Sequence, residues 1–398
     1  MILKNRYNQR KTEFFAQLDR GQNGEDIKEI KNIFEESYKD VFEKIEKNEL
    51  LYDSPLNLYL DKLTASIQKE NPEIPRNLSI LVSRKNEANA YNRGEGTIVI
   101  NNSLLNAVDN EDQLVYVLCH EMAHQTLNHV LESVKKYVKT NNSTELKSKT
   151  KQVKKQRYSR KTSAENLLKE LAYKNSAVNR AKEIQADSLG YVFYSRLNRN
   201  PKQVVRILEN LRDSDKESDS LIVDDYKRIF DSFKLSTKER WFKMESFDEY
   251  HYQKNTKFNT DSLRTHPNCD VRIEKLTRIA PELETEAISV EFKNLDSESF
   301  LKWKQSAVYQ NIQNEYFLKN YGNSLYEALK LYNRKPDDQL KKWISLNFKK
   351  LYEAKKAYRL NKYVSQVSVV EYTDSYNLFS TFIFNLGLED LEIINKSL

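Results

Sequence analysis

Apolar residues along this chain recur mostly at helical spacing, with one short interval that alternates every second residue. Between residues 10 and 70, Ile27, Ile30, Ile33, Phe34 and Tyr38 recur at helical spacing, and so do Leu58, Leu60, Leu63 and Ile67. This spacing predicts helices. Leu78, Ile80 and Val82 then alternate with polar residues, and Thr97-Ile98-Val99-Ile100 forms a second short run. With Gly94 and Gly96 between them, they predict strands joined through a turn. Asn110 is placed as an N-cap, with Gln113 at the capping-box position and Glu111 and Asp112 matching the helix N-terminus. The helix that follows, through Leu114, Val117, Leu118 and on to Leu127, is apolar enough to be buried and central. Further helices are expected from about Ala164 to Arg196 and from Pro201 to Leu211, with the acidic, Ser-rich stretch Asp213 to Asp225 as a loop.

Beyond Pro281 the pattern changes. Ile288-Ser289-Val290-Glu291-Phe292 is a candidate strand. Ser324 to Tyr332 and Asp337 to Tyr358 form a predicted helix pair turning at Pro336, with Leu325, Leu329, Trp343, Leu346 and Leu351 inward. It resembles one hairpin of a helical repeat array, with no second copy readable. The expected class is therefore α+β, predominantly helical, with a small sheet beside a central helix. Three regions are expected: an N-terminal helical segment over 1–54, a main domain over 55–285, and a mostly helical C-terminal module over 286–398.

Composition narrows this further. The 398 residues are long enough for two or three domains. Only 7 Gly and 7 Pro argue for few tight turns and many helices. No run approaches the roughly 18 consecutive apolar residues of a membrane-crossing helix. The opening residues, Met1 to Lys11, carry no apolar stretch of a secretory signal. Cys119 and Cys269 are too few for a four-thiol zinc site or a disulfide framework, and are expected as free thiols. The net charge of +7 is uneven. Eleven basic residues from Lys135 to Lys161 face only Glu145, within a basic insert at about 132–163. Such a run is ordinarily a solvated face, and 135–161 is otherwise a candidate contact with an anionic membrane surface or an acidic protein. No finger, homeodomain or RNA-binding signature accompanies it, so a nucleic-acid partner is not expected.

The chemistry concentrates in His120-Glu121-Met122-Ala123-His124, inside the central helix. Residues four apart share a helical face, so both imidazoles reach one metal ion, with the glutamate beside it as general base. For a chain with five histidines, chance supplies such a string with a frequency on the order of 0.005. One Zn²⁺ per chain is the expected cofactor. A catalytic zinc needs a third protein ligand and an open position. Leu127 and Val130 occupy the positions where a Gly and a third His would continue the motif in metzincins, so that route fails. Glu183-Ile184-Gln185-Ala186-Asp187 offers another. Glu183 would bind the metal, and Asp187, on the same face, would hold a ligand imidazole. Farther on, Thr265-His266-Pro267 precedes Arg272. His266 is a candidate donor to an oxyanion, and Arg272 a candidate to orient a carboxylate of the site or a substrate carbonyl.

In this order, the three motifs resemble the HtpX/CAAX-prenyl-protease family of gluzincin zinc metallopeptidases, whose pattern is H-E-x-x-H, E-x-x-A-D, then T-H-P followed by R-I; here the last is Arg272-Ile273. Asn89-Ala90-Tyr91 resembles the family's N-A-F segment, and His129 falls where the family often has a histidine. The resemblance spans about residues 55–285. It implies a gluzincin fold with a small sheet beside the active-site helix, and hydrolysis of unfolded or extended polypeptide by water activated by Glu121 at the metal. It also implies a substrate bound along the sheet edge, with Asn89 and Ala90 among its contacts. Lacking transmembrane helices, the chain is similar to the soluble bacterial branch. A periplasmic or otherwise extracytoplasmic place, with a role in protein quality control, is expected if a signal was removed, and a cytoplasmic one otherwise. A second reading is a latent peptidase-like scaffold or chaperone that binds proteins without cleaving them.

Overall fold

The computed structural model describes residues 2–21, 24–51, 55–144, 148, 151–152, 160–213, 220–243, 269–283, 297–368 and 371–398. The chain divides into two compact units. Met1–Ser83, Ala88–Asp213 and Lys254–Trp303 form the first, and Arg84–Glu87, Ser214–Gln253 and Lys304–Leu398 the second.

The first unit is built around a sheet of β1 (Leu50–Leu51), β2 (Ser79–Ser83), β3 (Ala90–Asn92) and β4 (Thr97–Asn101), in the order β1-β2-β4-β3. β2 and β4 run parallel, with Ile80 opposite Ile98 and Val82 opposite Ile100, and β3 lies antiparallel along the outer edge of β4. Every residue of β4 is buried, and four of five in β2. The alternation read from Leu78, Ile80 and Val82 therefore does not mark a half-solvated sheet. The hairpin of α1 (Ile2–Gly21) and α2 (Glu25–Glu46) covers the second face, packing Tyr7, Tyr38 and Val41 against Leu81 and Val99. α3 (Pro55–Glu70) packs on β2, burying Leu56, Tyr59, Leu60, Leu63 and Ile67. Leu58, expected on that inner face, is 64% exposed, because it sits out of phase with the i, i+3, i+4 stripe begun at Leu56.

Gly94 and Gly96 both have left-handed backbones, φ 87° and 89°, and turn β3 into β4. The close approach at Gly94 excludes any larger residue, since a Cβ there would lie 2.6 Å from Val130. After the short α4 (Leu104–Ala107) comes the central helix α5 (Glu111–Thr126), buried at every residue except His124 and Thr126. The Asn110 side chain caps it, accepting from Gln113 N at 3.1 Å. Gln113 Oε1 accepts from Asp109 N rather than from Asn110, so the reciprocal half of the expected capping box moves out by one residue. Arg199 donates to Glu111 and Asp112 at 2.8 and 2.7 Å, and Tyr59 to Glu111 at 2.9 Å, so the buried carboxylates of the first turn are paired.

α6 (His129–Asn142) follows α5 through Asn128, which is left-handed at φ 54°. α7 (Arg160–Ser195) crosses α5 closely, α8 (Lys202–Asp213) packs on α5, and α10 (Cys269–Ile279) packs on α7 and α8. Gly190 makes the α5–α7 approach possible, since a Cβ there would stand 3.0 Å from His120 Cα.

The second unit is helical: α9 (Val223–Ser232), a short 3-10 turn (Glu239–Phe242), the C-terminal part of α11 (Ser297–Phe317), α12 (Tyr321–Arg334), α13 (Asp338–Lys356), α14 (Asp374–Asn385) and α15 (Leu388–Ser397). α12 and α13 are the predicted hairpin, opened after Pro336 by Asp337, whose carboxylate accepts from Leu340 N at 2.7 Å. The buried stripe of α13 is Leu340, Ile344, Phe348 and Leu351, with Trp343 only half-buried beside it. α9 begins at Val223 and so takes the last three residues of the loop expected over 213–225, of which 214–219 lie outside the described residues. Its acidic residues Asp224 and Asp225 form a helix first turn, and Asp225 accepts from Ile222 N at 2.9 Å. The candidate strand 288–292 lies outside the described residues. No described helix is long and apolar enough to cross a membrane.

Candidate metal centre

α5 and α7 together make the site. His120 and His124 project from one face of α5, as their spacing requires. α7 brings Glu183 to the same point, and the three form a group of possible metal ligands. The two Nε2 atoms are 3.1 Å apart. Glu183 Oε2 lies 3.5 Å from His120 Nε2, and Oε1 3.3 Å from His124 Nε2. A tetrahedral zinc with bonds of about 2.0–2.2 Å sets its donors about 3.3–3.5 Å from one another. The donor triangle has nearly that size, and two imidazoles with a carboxylate are the donor types zinc takes. The residues therefore fit the ion.

Charge points the same way. Burial would lower the basicity of His120, but contact with Asp187 and Glu183 overrides it and pushes its pKa up to about 10. The carboxylates thus favour a cation at this imidazole. His120 and Glu183 are both over nine-tenths buried, which makes that preference strong.

Asp187, one turn past Glu183, holds the back of the site. Its Oδ1 stands 2.9 Å from His120 Nδ1, near enough for its charge to favour the proton there and leave Nε2 free to face the triangle. Burial would raise the Asp187 pKa, but the Arg272 guanidinium outweighs it and holds the carboxyl well below the usual range. Arg272 grips it with two bonds, Nε to Oδ2 at 2.7 Å and Nη2 to Oδ1 at 2.6 Å. Arg272 is itself buried, with both of these bonds directed at Asp187. Tyr116 OH also donates to Asp187 Oδ1, at 3.2 Å.

Glu121 follows His120 directly, and among the described residues nothing hydrogen-bonds its carboxylate. Asn89 and Ala90 begin the outer strand β3. Asn89 O and Arg93 N bond across to β4, so the main-chain groups of Ala90 and Asn92 face the free edge. Asn92 also ties β3 to α5, donating to Gln125 Oε1 at 3.0 Å. His266 lies outside the described residues. Cys119 and Cys269 are free thiols.

Sequence reasoning missed several contributors. Tyr116 is one turn before His120, a position that shares its face. Gly190 is one of only seven glycines. His129, noted only for its position in the motif, has its Nδ1 3.0 Å from His124 Nδ1. Burial, with His124 and Lys182 nearby, pushes the His129 pKa down to about 4, so this ring is neutral.

The family model for peptidase family M48 covers residues 58–280. No curated protein matches the chain.

Proposed function

The chain belongs to peptidase family M48, and from that membership we propose that it is a zinc-dependent endopeptidase hydrolysing peptide bonds of unfolded or extended polypeptides. Membership implies a peptidase hydrolase, and the family is zinc-dependent. The observation that carries the finer reading is the triangle of His120, His124 and Glu183, with the buried Glu121 next to His120 in the chain.

When held by these three residues, zinc supplies Lewis-acid polarisation of a carbonyl and lowers the pKa of water toward neutrality. Glu121 takes the proton of the attacking water and returns it to the leaving amine, so the carboxylate is regenerated each cycle. Asp187 and Arg272 keep His120 in the orientation and tautomer that leave its Nε2 toward the triangle. An extended substrate adds to the free edge of β3, pairing with the main chain of Ala90 and Asn92, with Asn89 at the start of that track. His266 keeps the assignment its sequence motif gives it, as donor to the developing oxyanion.

The test is zinc content and casein turnover of wild type and Glu121→Gln side by side. One zinc per chain in both, with turnover falling about 100- to 10,000-fold in the variant, supports the reading. Equal turnover would remove Glu121 as the base, and a wild type that binds no zinc would remove the metal.

A further inference from the structure

A neutral imidazole carries one N–H, so each histidine in a hydrogen-bonded row determines the tautomer of the next. His124 turns Nε2 to the donor triangle and Nδ1 away from it. That Nδ1 lies 3.0 Å from His129 Nδ1, and His129 Nε2 lies 3.1 Å from Gln185 Oε1. The two rings meet edge to face, their centres 4.9 Å apart.

Several features hold His129 in place. The left-handed Asn128 ends one helix and starts the next, so His129 opens α6 folded back toward His124. Lys182 Nζ donates to the carbonyl of His129 at 2.6 Å and to Ser133 Oγ at 2.7 Å. The ring is buried, at 6% exposure. Gln185 lies on α7 between Glu183 and Asp187, so the helix that supplies the third donor also supplies the end of the row.

The row has two settings. If Gln185 presents its carbonyl, His129 carries its proton on Nε2 and offers a bare Nδ1. His124 then keeps its proton on Nδ1, and its Nε2 lone pair faces the triangle. If the row runs the other way, His129 carries its proton on Nδ1 and His124 on Nε2, where it points at His120 Nε2 and excludes a cation. The settings differ in which nitrogen holds the proton and not in the number of protons.

We propose that His129 and Gln185 are positioning residues that set His124 to its metal-accepting tautomer, complementing what Asp187 does for His120. This rests on the zinc reading. It assigns one helix, α7, the orientation of both histidines: Asp187 for the first and Gln185, through His129, for the second.

The test uses the full chain labelled with ¹⁵N-histidine, zinc-loaded, together with zinc affinity by chelator competition. Wild type is expected to show His124 protonated at Nδ1 and His129 at Nε2. His129→Leu offers no acceptor and is expected to weaken zinc about 10- to 100-fold, the usual cost of losing an outer partner. His129→Gln, whose carbonyl accepts from Nδ1–H, is expected to stay within about threefold of wild type. Gln185 is exposed, so Gln185→Leu leaves packing intact and reads the end of the row alone. It is expected to shift the His129 tautomer signals, with a smaller loss of affinity. The proposal is overturned if His129→Leu binds zinc as wild type does, or if His129→Gln loses as much as His129→Leu, which would make the role one of packing. It is also overturned if wild-type His129 carries its proton on Nδ1. Because zinc content of the wild type is measured first, each of these results leaves the zinc reading standing.

Discussion

Helix α5 is buried almost throughout and α13 along one stripe, and what they bury differs. α5 hides charge: Glu111, Asp112, His120 and Glu121 all lie below 9% exposure, and Glu183, Asp187, Arg199 and Arg272 join them from neighbouring elements. α13 hides Leu340, Ile344, Phe348 and Leu351, in a core with Phe230, Phe379 and Phe382. In the second unit, this core is held by apolar area and close packing. In the first, each buried charge costs several kcal/mol unless paired, and the pairing is what orients the proposed metal ligands. Function and stability are therefore coupled through the same atoms in the first unit and separate in the second.

The largest expected effect breaks this coupling directly. Arg272→Met takes from the buried Asp187 its guanidinium partner, leaving Tyr116 and His120, with a cost of about 3–5 kcal/mol. It also loosens His120, so zinc affinity should fall about 10- to 100-fold. The double variant Asp187→Leu with Arg272→Met removes both charges. It should recover most of the stability, because a buried pair is often replaceable by apolar groups, and none of the zinc affinity. Thermal melting with chelator titration checks both. Recovery of zinc affinity in the double variant would show that the pair serves packing alone.

The counterpart lies in the second unit. Phe382 is fully buried among Tyr226, Phe230, Trp241 and Phe348, and stacks on Phe242. Phe382→Ala should cost about 3–5 kcal/mol, as aromatic deletions in cores do. Two of the three tryptophans, Trp241 and Trp343, belong to this unit, so in a Trp303→Phe background tryptophan fluorescence reports the loss as a lower unfolding midpoint. Zinc affinity should stay within about twofold of wild type, since the ring partners of Phe382 all belong to the second unit and sites without shared partners act independently. A large change in zinc affinity would contradict the separation of roles.

These two regions were also legible in the sequence to different degrees. His120, His124, Glu183 and Asp187 were readable because helical spacing converts residue number into a shared face. The hairpin α12–α13 was readable because Pro336 and Asp337 mark its turn. The N-terminal hairpin was visible as helices but not as a lid on the sheet, since periodicity shows that a face is buried and not against what. Thus the apolar residues of both strands are plain in the sequence, but not that Leu81 and Val99 meet Tyr7 and Tyr38. α9 was hidden for an electrostatic reason. Acidic residues resemble a loop until one sees that Asp224 and Asp225 sit at a helix N-terminus. The row from His124 to Gln185 was hidden because it depends on the left-handed turn at Asn128, which joins residues 56 apart, from His129 to Gln185.

The smallest expected effect asks whether the second unit contains any charge of the first unit's kind. Asp390 is its best case, at 1% exposure. Its carboxylate accepts from Lys238 at 2.6 Å, from Gly387 N at 2.9 Å and from Arg240. Burial would raise its pKa, but these partners, Lys238 foremost, bring it down to about 2. A free aspartate titrates near 3.9, so the folded value lies below the unfolded one. The contribution is therefore complete above about pH 4 and is lost as pH falls through about 2. Melting of wild type and Asp390→Asn between pH 6 and pH 2 should show a gap that is constant down to about pH 4 and narrows below it. Lys238 and Arg240 are about half exposed, so water screens their share and the gap should be smaller than that of Arg272→Met. A gap as large as the Arg272 variant's would mean that the second unit, too, depends on a buried charge.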